Sequence, residues 1–195
     1  MGWAICSTDS GIKGLSVIFT ETLLTGAYII EIERLQDERG FFARSWCQRE
    51  FKKQGLNTNL VQCSVSFNSK KGTLRGMHYQ IKPYAETKLV RCTMGSIYDV
   101  ILDLRQGSTT YGQHMGVLLS ASNHRMLYIP EGFAHGFITL EDNSEVFYQM
   151  TEFYAPDAAR SIRWDDPQFA IAWPTEVQVI SEKDRLIPDF VVEPG

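Results

Sequence analysis

The chain has 195 residues and a net charge of −4, with 44% hydrophobic and 22% charged residues. That length supports one domain with a sizeable core, and the negative balance argues against a general nucleic-acid binder, which is usually basic. No run approaches the roughly 18 apolar residues that a membrane-spanning helix needs.

Residues 1–14, MGWAICSTDSGIKG, lack a basic n-region and a long apolar run, so they read as a loose leader and not as a signal peptide. Residues 15–195 read as a single domain. Leu15 to Phe19 and Ala27 to Glu33 are rich in β-branched and aromatic residues, with Gly26 as a turn signal between them. Asp37 to Gly40 is a charged turn, followed by a strand over Phe41 to Trp46. Cys47 to Asn57 is the best helix candidate, with Phe51 as its apolar residue and Gly55 as its stop. Leu60 to Phe67 reads as a strand and Asn68 to Gly72 as a turn.

Gly72 to Arg91 then forms two apolar arms around Pro83, with Arg75 and His78 on the first and Lys88 and Arg91 on the second. The cations fit an anionic ligand, a proton-transfer step or both; a hairpin with solvated basic residues fits equally well. Ser96 to Leu104 alternates, with Ile97, Val100 and Leu102 around Asp99 and Asp103. Gln113 to Ser120 and Arg125 to Ile129 read as strands. Pro130 to Phe137 is dense in turn residues and aromatics, Ser144 to Phe153 is strand-like, and Ala155-Pro-Asp is a break. Ser161 to Trp164 and Val177 to Ile180 are short segments, and the tail from Ser181 is polar. Many short strands with turn signals and little helix predict an all-β sandwich or barrel, such as a jelly roll.

The four cysteines, Cys6, Cys47, Cys63 and Cys92, follow no CxxC spacing, so free buried thiols in a reducing cytoplasm are expected. Among the histidines, His124 sits in a polar turn and reads as solvated, and His114 as structural. His78 and His135 lie in GMHYQ and GFAHGF, at enclosed strand ends. No H-x-H or H-x-x-x-H pair is present, which disfavours a metal-dependent cupin enzyme. A metal-free reading fits better. An imidazole beside a carboxylate is a general base near neutral pH, a lysine stabilises a developing enolate, and a tyrosine supplies a proton. His78, Lys88 and Tyr148 are the candidates, with an acidic partner later in the chain.

Asp37-Glu-Arg-Gly-Phe-Phe, Leu74-Arg-Gly-Met-His-Tyr-Gln, Lys88-Leu-Val-Arg-Cys, Tyr98-Asp-Val-Ile-Leu-Asp-Leu-Arg, Ile129-Pro-Glu-Gly-Phe-Ala-His-Gly-Phe and Trp164-Asp-Asp-Pro follow one another in order. In these motifs the chain resembles the dTDP-4-dehydrorhamnose 3,5-epimerase family of cupin-like sugar-nucleotide epimerases. The resemblance implies a cupin-type jelly-roll barrel with a few short helices, a homodimer, and no metal or organic cofactor. It implies epimerisation at C3 and/or C5 of a nucleotide-diphospho-4-keto-6-deoxy sugar through an enolate. By motif, His78 is the base, Asp184 its polarising partner, Lys88 the ligand of the C4 oxygen and Tyr148 the acid. Arg39 and Arg75 hold the diphosphate, Gln62 positions the nucleotide, His135 contacts the sugar, and Phe42 walls the nucleotide pocket.

Three positions depart from the family pattern: Arg44 in place of a glutamate, Gln62-Cys63-Ser64 in place of Gln-x-Asn, and Phe153 in place of a tyrosine. Arg44 and Ser64 fall where the base is read, which leaves thymine, guanine, cytosine and uracil open. Phe153 bears on which carbon is inverted. A non-catalytic sugar-nucleotide-binding cupin is the alternative function.

Overall fold

The computed structural model describes residues 15–191; the expected leader lies outside them. Fourteen strands and two short helices follow in chain order: β1 Val17–Glu21, β2 Tyr28–Ile32, β3 Arg34–Asp37, β4 Gly40–Ala43, α1 Gln48–Lys53, β5 Gln62–Asn68, β6 Thr73–Gln80, β7 Lys88–Met94, β8 Ser96–Asp103, β9 His114–Ser120, β10 Met126–Ile129, β11 Phe133–Thr139, β12 Ser144–Met150, β13 Ala159–Ser161, β14 Val179–Ile180 and α2 Glu182–Arg185. One six-stranded sheet runs β1-β2-β10-β7-β12-β5. The other runs β13-β6-β11-β8-β9, with β14 added parallel to β6. β3 and β4 form a separate ribbon. Sequence-distant strands pair across both sheets, and the two sheets face each other as a jelly roll, as expected.

Three apolar layers explain the burial pattern. Between the sheets, Val90, Leu127, Ile129 and Val146 meet Ile97, Ile101, Leu119 and Phe137. On the outer face of the β6–β11–β8 sheet, Met77, Val100 and Leu102 are covered by Ile162, Phe169 and Ile171 from the C-terminal segment. On the outer face of the other sheet, α1 drops Phe51 among Phe19, Leu89, Met126 and Tyr128. The β6–β11–β8 sheet is therefore covered on both faces, so its strands need not alternate. All seven residues of β11 are buried, although its first half reads as turn-rich in the sequence. Asp99 and Asp103, which an alternating strand would leave wet, are fully buried.

Two more expectations change. The arms of Gly72 to Arg91 are not a hairpin: β6 pairs with β11 and β13, and β7 with β10 and β12, in opposite sheets. The polar tail contains α2, whose Ser181 side chain caps it by accepting from the Asp184 N–H at 3.0 Å. Of the cysteines, Cys92 is buried, Cys47 is half-buried and Cys63 is exposed; Cys6 lies outside the described residues. No helix among the described residues is long and apolar enough to cross a membrane.

Phe51 is 1% exposed and is the one buried side chain that α1 contributes. Phe51→Ala should lower unfolding free energy by about 3–5 kcal/mol, the usual cost of deleting a core phenylalanine. Urea unfolding at equilibrium reads this; a loss below about 1 kcal/mol would mean that α1 is not anchored by this ring.

Candidate active site

Between the sheets lies a cavity of about 670 Å³, lined by Arg75, His78, His135 and Phe137 from one sheet, Ser64, Ser66, Lys88 and Tyr148 from the other, and Ser181, Lys183 and Asp184 at its edge. A second lobe of about 440 Å³ shares Ser64, His78, Lys88, Tyr148 and Lys183 with it and adds Gln62, Gln80, Glu86 and Tyr154.

Arg75 and His78 are three residues apart. A regular strand, with its period of two, would send them to opposite faces. The pairing with β11 is irregular here: His78 lies opposite His135 and Arg75 opposite Phe137, so three steps on β6 match two on β11. That extra residue is a bulge, and both side chains reach the same cavity.

His78 Nε2 is 2.7 Å from Asp184 Oδ1. The imidazole is 46% exposed and the carboxylate 7%, so the ring faces open space with an anion behind it. With Nε2–H donated to Asp184, the lone pair sits on Nδ1. Burial acts to raise the Asp184 pKa, but the His78 ring, the Ser181 hydroxyl and the Gly76 N–H together hold it below the ordinary carboxylate value.

On the facing sheet, Lys88 Nζ bonds Glu86 Oε1 at 2.5 Å, with both side chains largely buried. The Tyr148 ring meets His135 edge-on, with centroids 6.1 Å apart. Burial first, then the charge of Asp99, push the Tyr148 hydroxyl far above its ordinary pKa, so it is a proton carrier at neutral pH. His135 Nε2 lies 2.8 and 3.0 Å from the two oxygens of Asp99. Total burial raises the Asp99 pKa against the pull of His135 and Lys88. Arg75 Nε donates to Asn68 Oδ1 at 2.7 Å, and Asn68 Nδ2 donates to the carbonyls of Ser66 and Ser144. The guanidinium is thus aimed by a buried amide.

The structure brings together His78, Asp184, Lys88, Tyr148, Arg75, His135, Gln62 and Ser64. Four predicted site residues stand apart from the cavity. Arg39 and Phe42 are on the β3–β4 ribbon, where Arg39 bonds Asp37 and is 75% exposed. Arg44 binds Glu50 Oε1 at 2.6 Å and the Leu15 carbonyl at 2.8 Å, so its guanidinium braces α1 against β1. Phe153 is exposed, and its neighbour Tyr154 lines the second lobe instead.

Asn68, Glu86 and Asp99 support the site but were not singled out for it. Asp99 has a signal, a carboxylate set among apolar residues of one strand; Asn68 and Glu86 have none beyond their place in a turn and a loop. His124, expected to be solvated, is half-buried with its ring against Phe41. Among the described residues, no three His, Cys, Asp or Glu side chains gather as metal ligands.

The family model for dTDP-4-dehydrorhamnose 3,5-epimerase matches residues 21–191. A relative of that name from Shigella flexneri is 45% identical over 171 residues, covering 87% of this chain and 93% of the relative. The crystal structure of dTDP-4-dehydrorhamnose 3,5-epimerase from Bacillus anthracis, with TDP and PPi bound, superposes with a TM-score of 0.86 at 41% identity, over 90% of this chain and all of that one. The Legionella pneumophila dTDP-6-deoxy-D-glucose-3,5-epimerase, in complex with dTDP-4-keto-L-rhamnose, gives a TM-score of 0.81 at 41% identity, over 87% of this chain and 90% of that one.

A carboxylate whose folded pKa is depressed adds stability that is complete above its unfolded pKa, about 3.9 for Asp, and is lost as pH falls through the folded value. The stability advantage of the unchanged protein over Asp184→Asn should therefore shrink between about pH 5 and pH 3. Urea unfolding of both proteins across that range reads it, and an advantage that grows on acidification would contradict the assigned direction.

Proposed function

The chain belongs to the dTDP-4-dehydrorhamnose 3,5-epimerase family, and we propose that it inverts C3 and/or C5 of a dTDP-4-keto-6-deoxy sugar in deoxysugar biosynthesis. A C4 ketone acidifies the C–H bonds on both neighbouring carbons. Inversion needs a base on one face of the ring, an acid on the other, and a group that holds the enolate oxygen between the two proton transfers.

One observation carries this reading: His78, backed by Asp184 of α2, stands on one sheet, and Tyr148 with Lys88 stands on the other, across a single cavity. His78 takes the proton, and Asp184 stabilises the imidazolium that forms. Lys88 binds the C4 oxygen and offsets the enolate charge. Tyr148, kept protonated by burial, delivers a proton to the opposite face. Arg75, held by Asn68, takes the diphosphate. His135, fixed by Asp99, contacts the sugar, and Gln62 and Ser64 lie along the nucleotide. These steps use side chains of this chain alone. A pure binder has no need of base, acid and enolate ligand together, which sets that alternative aside.

Arg44 faces Glu50, so it does not read the base from within its own protomer, and we take thymine as the base. Arg39 and Phe42 stand off the cavity on an exposed ribbon that also shows Leu35 and Phe41. Edge strand β5 exposes Val65 and Phe67. We read these as faces of a homodimer in which the ribbon of one protomer reaches the cavity of the other. The free cysteines suit a reducing compartment, and we place the protein in the cytoplasm.

Turnover in D₂O should place deuterium at C3 and/or C5 of dTDP-4-keto-6-deoxyglucose, and more slowly in the same sugar on other bases. No incorporation from any of them, under conditions where a known epimerase turns over, would refute the reading. His78→Ala should cut exchange by about 10²–10⁴-fold without unfolding, the usual range for a lost general base. Arg39→Ala and His78→Ala should each be nearly inactive alone, yet regain activity when unfolded together and refolded as mixed dimers. No regain would assign Arg39 to its own protomer's site or to none.

A further inference from the structure

β7 carries a second cation, Arg91, which the site above does not use. Lys88 faces the space between the sheets; Arg91, three residues on, faces out. It sits opposite Met126 on one side and Phe147 on the other, with its guanidinium carbon 5.2 Å from the centre of the Phe147 ring. Its Nε is the single buried side-chain nitrogen or oxygen among the described residues that has no hydrogen-bond partner. A guanidinium stays charged and can only donate, so leaving a buried N–H unmet costs its desolvation in full. Such an atom calls for an acceptor.

The surroundings suit an anionic acceptor. Arg91 lines a cavity of about 160 Å³, which Ser45, Thr93 and His124 share. Among the described residues, no Asp or Glu lines it. The Thr93 hydroxyl is already given to Glu145 Oε1 at 2.7 Å, which leaves Arg91, Ser45 and His124 as donors. His124 holds a left-handed backbone (φ 55°), with its ring edge-on to Phe41. Its pKa is lowered, first by burial and then by the positive charges of Arg34 and Arg91. Two cations therefore act on one small cavity in a chain whose net charge is −4.

We propose that this cavity is an oxyanion site, in which Arg91 Nε–H is the anchoring donor and Ser45 and His124 the flanking ones. The oxyanion is either a free ion of the phosphate type or a carboxylate presented by a second copy of this chain; the chemistry of capture is the same. The site is separate from the nucleotide-sugar cavity, and its test does not depend on the epimerase reading.

The full chain, purified in chloride buffer, is melted with increasing inorganic phosphate against sodium chloride of equal ionic strength. A free-ion site gives a saturable rise in Tm, because a ligand that binds the folded state alone stabilises it by mass action. In an Arg75→Met background, which removes the phosphate-binding cation of the other cavity, the rise persists, and adding Arg91→Met, which keeps the packing over Phe147, abolishes it. A carboxylate from a second copy gives no phosphate response, and Arg91→Met then weakens self-association about tenfold or more in sedimentation, as loss of a charge-assisted bond predicts. If Arg91→Met changes neither the phosphate response nor the self-association, the proposal is overturned. Should that variant not fold, the Arg91 Nε–H resonance of the unchanged protein, labelled with ¹⁵N-arginine, replaces it. A shift on adding phosphate, or on dilution through dimer dissociation, supports the site; a resonance moved by neither overturns it.

Discussion

The close approach of β6 and β11 at two glycines sets the geometry on which the site depends. A Cβ on Gly76 would stand 2.4 Å from the Gly136 Cα, and one on Gly136 would stand 2.7 Å from the Met77 sulfur and 2.9 Å from the Arg75 carbonyl. Gly76 also has φ 133°, a conformation open mainly to glycine. With no side chain between them, the strands pair closely enough for the extra residue of β6 to be absorbed locally. Arg75 and His78 then share a face, and His135 lies opposite His78. Sites on strand backbones hold their geometry more tightly than sites on loops. Here the base and the diphosphate cation take their places from a ladder irregularity that only small residues permit.

Charge is the second constraint. The cavity gathers basic side chains in a chain that is acidic overall, and three of them face a carboxylate. Lys88 has Glu86, His78 has Asp184 and His135 has Asp99. An ion removed from water without a partner is expensive, whereas a paired one keeps its charge and its aim. The arrangement also separates roles. The carboxylate of Asp184 polarises an exposed imidazole, while deep burial keeps the Tyr148 proton in place. One wall thus carries an imidazole backed by a carboxylate and the other a phenol that keeps its proton, an acceptor and a donor on facing sides.

The strands and most catalytic candidates were legible in the sequence because they are local: β-branched runs, turn residues and the motif around His78 lie within a few positions of one another. The pairing of β6 and β7 was not, since nothing in the run from Gly72 to Arg91 says that its arms join opposite sheets. β11 reads as turn-rich because Pro130 and Gly132 precede it and Gly136 interrupts it; burial on both faces overrides that local signal. α2 is hidden in the polar tail because it has too few residues to show a period. The family resemblance puts Arg44 near the nucleotide base, yet a salt bridge to Glu50, six residues on, turns it to α1. The motif around Arg39 and Phe42 marks them as ligands but does not say whose cavity they serve, and one protomer alone leaves them outside its own. Asn68 and Glu86 escaped notice because their work is to orient another side chain, which only spatial neighbours reveal.

The central claim is that base and acid act from opposite walls on a sugar held between the sheets. A crystal structure of His78→Asn with dTDP-4-keto-6-deoxyglucose bound tests it most directly. The account predicts the sugar ring between residue 78 and Tyr148, one on each face, with the C4 oxygen at Lys88 Nζ and the diphosphate at Arg75. A ring with residue 78 and Tyr148 on the same face, or with C4 turned away from Lys88, would contradict it.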